Sequence, residues 1–318
     1  MSNGKLWIGV PSAALLLGTA LAGVNDPADL AEVRSFELRV ASVQTTDEVM
    51  RLYRPDATVF DGMAPGYYPD AKVLRIGYAP QYDATDALMP QVEYIDVVTD
   101  GKMACAFSQQ SFNVFMKNGD KFKLSLRMTD VLKKDKQGWR IAHEHFSYPL
   151  DPKTLAGVMA APLPPADPMV WAGGNPLPGP GIPEAQAGKE IRAWAEAQAN
   201  SQTIDQAMNT FGPGDDVLLY DSIAPGTARG LKEIRAVFEP QMQFKSIAIK
   251  FKTLGVDTDG LLGVVHSIQQ ATITAEDGSI HTAEFRQTDC LRRVDGKWYS
   301  FHEHVSFPID AKTGKGEM

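Results

Sequence analysis

The chain has 318 residues, 44% of them hydrophobic, enough for about two packed domains. Its formal net charge is −8, and no run of Lys and Arg forms a stripe. That excludes nucleic acid and an anionic membrane surface as main partners.

Residues 1–22 read as an export signal. Lys5 supplies a positive start, "LWIGVPSAALLL" an apolar core, and "GTALAG" a small-residue cleavage pattern ending at Ala22. The apolar run is too short to span a bilayer, so no membrane span is expected in the mature form. The plain alternative is a buried N-terminal helix. Export predicts a secreted or periplasmic protein.

Two helical patterns follow, "DPADLAEVRSFELRVAS" and "TTDEVMRLY", with Pro27 suited to a helix start and Thr46 to an N-cap. Next come a short strand "ATVFD", an Ala-Pro-Gly loop, and a helix "AKVLRIGYA" that Pro80 is expected to end. Four long strands complete the unit: "PQVEYIDVVTD", "MACAFSQQSFNVFM", "FKLSLRMTDVLKK" and "WRIAHEHFSYP". Helices followed by antiparallel strands predict an α+β domain, a curved, mostly antiparallel sheet wrapped around its N-terminal helices. The two cysteines, Cys105 and Cys290, fall in strand-like runs and are expected to be buried free thiols.

The same grammar is then repeated. "DATVFDGMAPG" from Asp56 corresponds to "DVLLYDSIAPG" from Asp216, and "LRMTDVL" from Leu126 to "FRQTDCL" from Phe285. "WRIAHEHFSYPLDPKT" from Trp139 corresponds to "WYSFHEHVSFPIDAKT" from Trp298. Thr203 suits the N-cap in the second copy, and Pro183 and Pro240 match the proline positions of the first. Domains are expected at 25–157 and 183–318, joined by a Pro/Gly-rich linker at 158–182 in which Trp171 is expected to dock on a domain surface.

The pattern R-x-T-D, then DG-x-W, then HEH-x-S-x-P resembles the SnoaL-like domains of the cone-shaped superfamily that includes ketosteroid isomerase and the nuclear transport factor fold. The resemblance implies two cones, commonly paired through the backs of their sheets, and hence an internal pseudo-dimer. It places Asp61, ending "DATVFD", and Asp221, ending "DVLLYD", where ketosteroid isomerases carry their general base. It places Asp130 and Asp289 where those enzymes hold a protonated Asp that donates to an enolate. The family's oxyanion tyrosine has no match: Ser35, Phe36 and Glu37 occupy that region in the first copy, and Trp194 to Gln198 in the second.

The residues themselves point the same way. By strand alternation Asp130 shares a face with Leu124, Leu126, Met128 and Leu132. A carboxyl on an apolar face is either protonated or paired. Asp61 and Asp221 can equally be turn caps. The triplet alternates too, with His143 and His145 on one face and Glu144 on the other. If Asp295-Gly296 is a two-residue turn, Asp289 falls opposite His302. If the loop has three residues with a left-handed Gly, Asp289 and Glu303 share the pocket face. The resemblance favours the second register. It leaves Trp139, Ile141, His143, His145 and Ser147 on the back, as the second copy leaves Trp298, Ser300, His302, His304 and Ser306. His266 stands where the first copy has Phe107, a satisfied strand histidine or a difference between the pockets.

Three functions follow. The first is an exported, cofactor-independent isomerase or lyase acting on a small hydrophobic or aromatic carbonyl or hydroxy compound, with Asp61, Asp130, Glu144, Asp221, Asp289 and Glu303 as candidate catalytic residues. The second is a non-catalytic module that binds such a ligand or assembles. The third is a metal-dependent enzyme using His143, His145, His302 and His304.

Overall fold

The computed structural model describes residues 25–160, 181–212 and 214–317. The expected export signal, Trp171 and most of the linker lie outside the described residues. The first half runs α1 (Pro27–Ser42), α2 (Thr46–Met50), β1 (Tyr53–Phe60), β2 (Tyr67–Tyr68), α3 (Ala71–Ala84), β3 (Thr85–Thr99), β4 (Met103–Met116), β5 (Lys121–Asp135) and β6 (Gly138–Ser147). The second repeats it as α4 (Glu184–Ala199), α5 (Ile204–Met208), β7 (Leu218–Tyr220), β8 (Thr227–Arg229), α6 (Gly230–Gln241), β9 (Ser246–Thr258), β10 (Leu262–Thr274), β11 (Ile280–Val294) and β12 (Lys297–Ser306). Each half is α+β, with a six-stranded sheet in the order β2-β1-β6-β5-β4-β3 or β8-β7-β12-β11-β10-β9. Among the strands of the described residues, only β1–β6 and β7–β12 pair in parallel.

Local chemistry sets the helices. α1 places Val33, Phe36, Val40 and Ala41 on one buried stripe at helical spacing. α2 is capped by Thr45 rather than Thr46, because Thr45 Oγ1 accepts from Glu48 N while the Glu48 carboxylate accepts from Thr45 N. Pro80 does not end α3. Only one turn remains beyond it, and Thr85 secures that turn by donating its hydroxyl to Gln81 O at 2.8 Å. Pro240 likewise lies inside α6.

The register of the last hairpin fixes the pocket. Asp130 pairs with Glu144 and Asp289 with Glu303, the second of the two expected registers. The device that produces it is different from the expected loop. In the second half Asp295 and Gly296 form a two-residue turn with φ of 48° and 81°, and Val294 pairs with Lys297. The shift comes from a β-bulge: Phe301 is skipped between the pairs Leu291–Ser300 and Cys290–His302. Ala142 is skipped at the same place in the first half. The bulge also corrects the expected histidine face. Trp139 and Ile141 belong to the inner core of the first half, and Trp139 Nε1 donates to Glu32 on α1, while His143 and His145 face the other way. Trp298 mirrors this against Glu190 on α4.

The two sheets meet back to back over a buried apolar cluster that draws Val98, Phe107 and Val131 from one half and Tyr220, Val264 and Phe301 from the other. Cys105 and Cys290 are buried free thiols in the same cluster. His266 stacks on His143 at 4.4 Å, so this substitution changes the interface and not the second pocket. Among the described residues no helix is long and apolar enough to cross a membrane.

Candidate active site

Inside the first cone lies a cavity of about 350 Å³. Its walls are mostly apolar and aromatic, with Val40 from α1, Tyr78 and Tyr82 from α3, Phe112 from β4, and Leu126 and Met128 from β5. Glu144 is the carboxyl among its lining residues. Its Oε2 accepts from Tyr53 Oη at 2.5 Å and from Tyr78 Oη at 3.4 Å. Burial first, and then the neighbouring Asp130, push the Glu144 carboxyl well above the usual range. The two phenols pull the other way by stabilising the carboxylate.

Asp130 does not line the cavity. It stands beside Glu144 on β5, wholly buried, and faces Glu37 of α1. Neither carboxyl makes a hydrogen bond of ordinary geometry among the described residues, yet they are close enough for each to shift the other. Burial raises both: Glu37 to about 7, and Asp130 well above its ordinary value. Three carboxyls therefore converge without a cation among their hydrogen-bond partners, an arrangement that favours their protonated forms.

Asp61 ends β1, buried, and its Oδ1 accepts from Met63 N at 2.8 Å as a turn cap does. Burial raises it to about 6, partly offset by the hydrogen bond from Met63 N and then by the Arg286 charge. Asp221 caps its own turn through Ser222 N at 2.8 Å and is raised by burial. It lines the second cavity, whereas Asp61 is not among the lining residues of the first.

The second cavity is about 300 Å³ and carries a different polar set. Glu303 Oε2 accepts from Gln198 Nε2 at 2.8 Å and Gln287 Nε2 at 3.3 Å. Asp289 accepts from the same two amides, at 3.4 and 2.9 Å. Burial raises Asp289 to about 7 and Glu303 well above its ordinary value. The Trp139–Glu32 and Trp298–Glu190 bonds align α1 with α4, so Ala195 stands at the place of Glu37 and Gln198 at that of Val40. Phe211 takes the place of Tyr53, since Leu52 O and Thr210 O bond the same point on each last strand. Phe238 takes the place of Tyr78 and Phe307 that of Tyr148.

The histidines lie on the opposite face. Thr129 Oγ1 sits 2.8 Å from His302 Nε2 and 2.9 Å from His304 Nδ1. Thr288 Oγ1 does the same for His143 at 2.9 Å and His145 at 3.0 Å. His145 and His304 stack at 3.7 Å, and burial keeps all four rings below the usual histidine range. His302 Nδ1 faces Leu218 O at 3.1 Å and must donate. Thr129 then donates to His302 Nε2, His304 Nδ1 donates to Thr129, and Ser147 donates to His304 Nε2 at 2.7 Å. Every triplet ring nitrogen in this ladder faces a hydroxyl or a carbonyl. Among the described residues no group of three or more His, Cys, Asp or Glu is placed to hold a metal ion.

The sequence profile of the SnoaL-like domain matches residues 38–151 and, again, residues 189–310. The chain belongs to the SnoaL-like domain family. Solved structures resemble one SnoaL-like half at a time. A nuclear transport factor 2-like protein of unknown function from Pseudomonas putida KT2440 is 24% identical, with 42% of this chain and 96% of that chain covered and a TM-score of 0.37. A nuclear transport factor 2-like superfamily protein from Salmonella enterica is 17% identical over 42% and 98%, TM-score 0.37. A ketosteroid isomerase-like protein from Erwinia carotovora is 23% identical over 38% and 95%, TM-score 0.33. Among curated proteins none matches the chain.

Three residues of this SnoaL-like site were not singled out from the sequence. Glu37 carries a signal, because a charged residue falls on the same helical stripe as Val33, Phe36 and Val40. Tyr53 and Tyr78 carry a fainter one, in that phenylalanines answer them in the second copy.

Proposed function

We propose that the chain is an exported enzyme whose first SnoaL-like domain transfers a proton on a small apolar carbonyl or hydroxy compound, and whose second binds such a compound with little or no turnover. One observation carries this reading: Glu144 meets an apolar cavity while two phenols hold its Oε2. A carboxyl raised well above its usual range is, once ionised, a stronger base than an ordinary glutamate, and when protonated it can return the proton as an acid. Glu144 would take a proton from the carbon or hydroxyl next to the ligand's carbonyl. Tyr53 and Tyr78 would stabilise the carboxylate before transfer, and Asp130 with Glu37 would keep the proton count behind it adjustable. Isomerisation and elimination share this step, and the chain needs no cofactor for it.

The lesser role of the second domain is supported by Phe211 and Phe238, which provide no hydroxyl, and by Gln198 and Gln287, whose amides already occupy Glu303 and Asp289. The two domains form an internal pseudo-dimer in this reading, through the histidine ladders. Export rests on Lys5 and the apolar run to Ala22, and predicts a mature chain beginning at Gly23 on N-terminal sequencing of periplasmic or secreted material.

The decisive test is α-proton exchange of small bicyclic ketones such as 2-tetralone in D₂O, followed by NMR. Wild-type protein is expected to accelerate exchange, and Glu144→Gln to lose at least about a hundredfold of it. Acceleration that survives Glu144→Gln would overturn the assignment of Glu144, and absence of acceleration across the ketone series would overturn proton transfer.

A further inference from the structure

The repeated arginine of the R-x-T-D motif does not serve its own pocket. Arg127 lies on β5 between Leu126 and Met128, which line the first cavity, but by alternation it points out of the other face. Wholly buried, it reaches into the second domain. Its Nη1 donates to Asp221 O at 2.5 Å and also to Gly226 O, and its Nη2 donates to Ser147 Oγ at 2.8 Å. Arg286 makes the mirror-image set: Nη1 to Asp61 O and, at 2.7 Å, to Gly66 O, and Nη2 to Ser306 Oγ at 2.8 Å. Burial pulls both guanidiniums down to about 10, so both remain charged at neutral pH.

A second arm closes on the same two turns. After β12, Ile309 N donates to Gly62 O at 2.9 Å and Ala64 N to Ile309 O at 3.0 Å. After β6, Leu150 N donates to Ser222 O at 2.8 Å and Ala224 N to Leu150 O at 2.9 Å. The fit is close at the glycines. Gly66 has φ of 76°, and a Cβ there would meet Pro308 at 2.8 Å; Gly226 has φ of 80°, and a Cβ there would meet Arg127 at 2.6 Å.

We propose that Arg286 and Arg127 are positioning residues acting across the domain boundary, each holding the turn that carries the opposite domain's aspartate, so that Asp61 is placed by the second domain and Asp221 by the first. The turns span Asp61–Gly66 and Asp221–Gly226, and both ends of each are tied to the partner domain's arginine. The placement of the aspartates does not rest on the proton-transfer reading above, in which Glu144 is the base. Besides Arg286, the titratable groups facing Asp61 are Glu144 from β6, Tyr68 from β2, Tyr78 from α3, and Tyr148 just after β6. Arg286 is the cation among them.

The test uses the full chain and two readings: the Asp61 carboxyl followed by ¹³C NMR against pH, assigned with Asp61→Asn, and 2-tetralone exchange. Arg286→Met is expected to move the Asp61 midpoint upward by about one pH unit. Arg286→Lys, which keeps the charge, is expected to return most of that shift. Arg127→Met is expected to leave Asp61 in place and move Asp221 instead. Should Arg286→Met not fold, Ser306→Ala frees only Nη2 and is expected to give a smaller shift of the same sign. An Asp61 midpoint that ignores Arg286, or that follows Arg127 equally, overturns the proposal. Loss of 2-tetralone exchange in wild-type protein would remove the catalytic reading while the Asp61 midpoint still decides the arginines.

Discussion

The backs of the two sheets are nearly the same and their hollows are not. Across the interface, Thr129 bridges His302 and His304 just as Thr288 bridges His143 and His145. Inside the cones the equivalence fails: Tyr53, Tyr78 and Glu37 in one answer to Phe211, Phe238 and Ala195 in the other. The identity of the backs follows from packing. A ring nitrogen buried without a partner costs roughly one to three kcal/mol, so a change within either ladder is costly. A cavity wall bears no such penalty when one apolar or aromatic group replaces another of similar volume.

The largest effect should come from the acids at the cavity floors. Glu144→Gln is expected to remove about a hundredfold or more of 2-tetralone exchange, and Glu303→Gln less than about threefold. Equal losses would erase the contrast between the hollows. Next are the backs. Thr129→Val and Thr288→Val each strand two ring nitrogens, and each should cost about 3 kcal/mol in denaturant unfolding. Unequal costs would show that the ladders are not equivalent.

Glu37→Gln should act through pH. The folded-state carboxyl is raised to about 7, above the usual glutamate value of about 4.3, so the folded protein holds a proton that the unfolded chain has released. Wild-type stability should therefore fall as pH rises between those values, and the variant should be more stable at pH 8 by on the order of 2 kcal/mol. The four buried histidines run the opposite way: held below their usual value, they contribute stability at neutral pH that is lost as the medium is acidified below about 6.5. A smaller loss than that of Glu144→Gln is expected from Tyr53→Phe, which makes the first hollow resemble the second and should slow exchange by about tenfold.

Much of this was legible in the sequence. Duplication and the α+β class follow from motif spacing and alternation, whereas the pairing of Asp130 with Glu144 and of Asp289 with Glu303 is favoured by the family resemblance, alternation leaving two registers open. What alternation misses is the bulge at Ala142 and Phe301. One extra residue moves Trp139 and Ile141 to the inner face, and nothing in "WRIAH" announces it. The helix ends differ from expectation at the prolines, since α3 runs one turn past Pro80 and α6 one residue past Pro240. The converging acids were half visible: Asp130 stands out on an apolar strand, but Glu37 reaches it only through the packing of α1 on the sheet.

One consequence lies in the contact of His266 with His143. The pseudo-equivalent contact on the other side is Phe107 with His302, at 4.0 Å. Two identical chains related by a twofold axis would have to place the same residue at both positions, so any substitution would arrive twice. A tandem chain places them independently. The interface can take a change on one side while the other holds the fold, and each pocket is free to drift without its twin following.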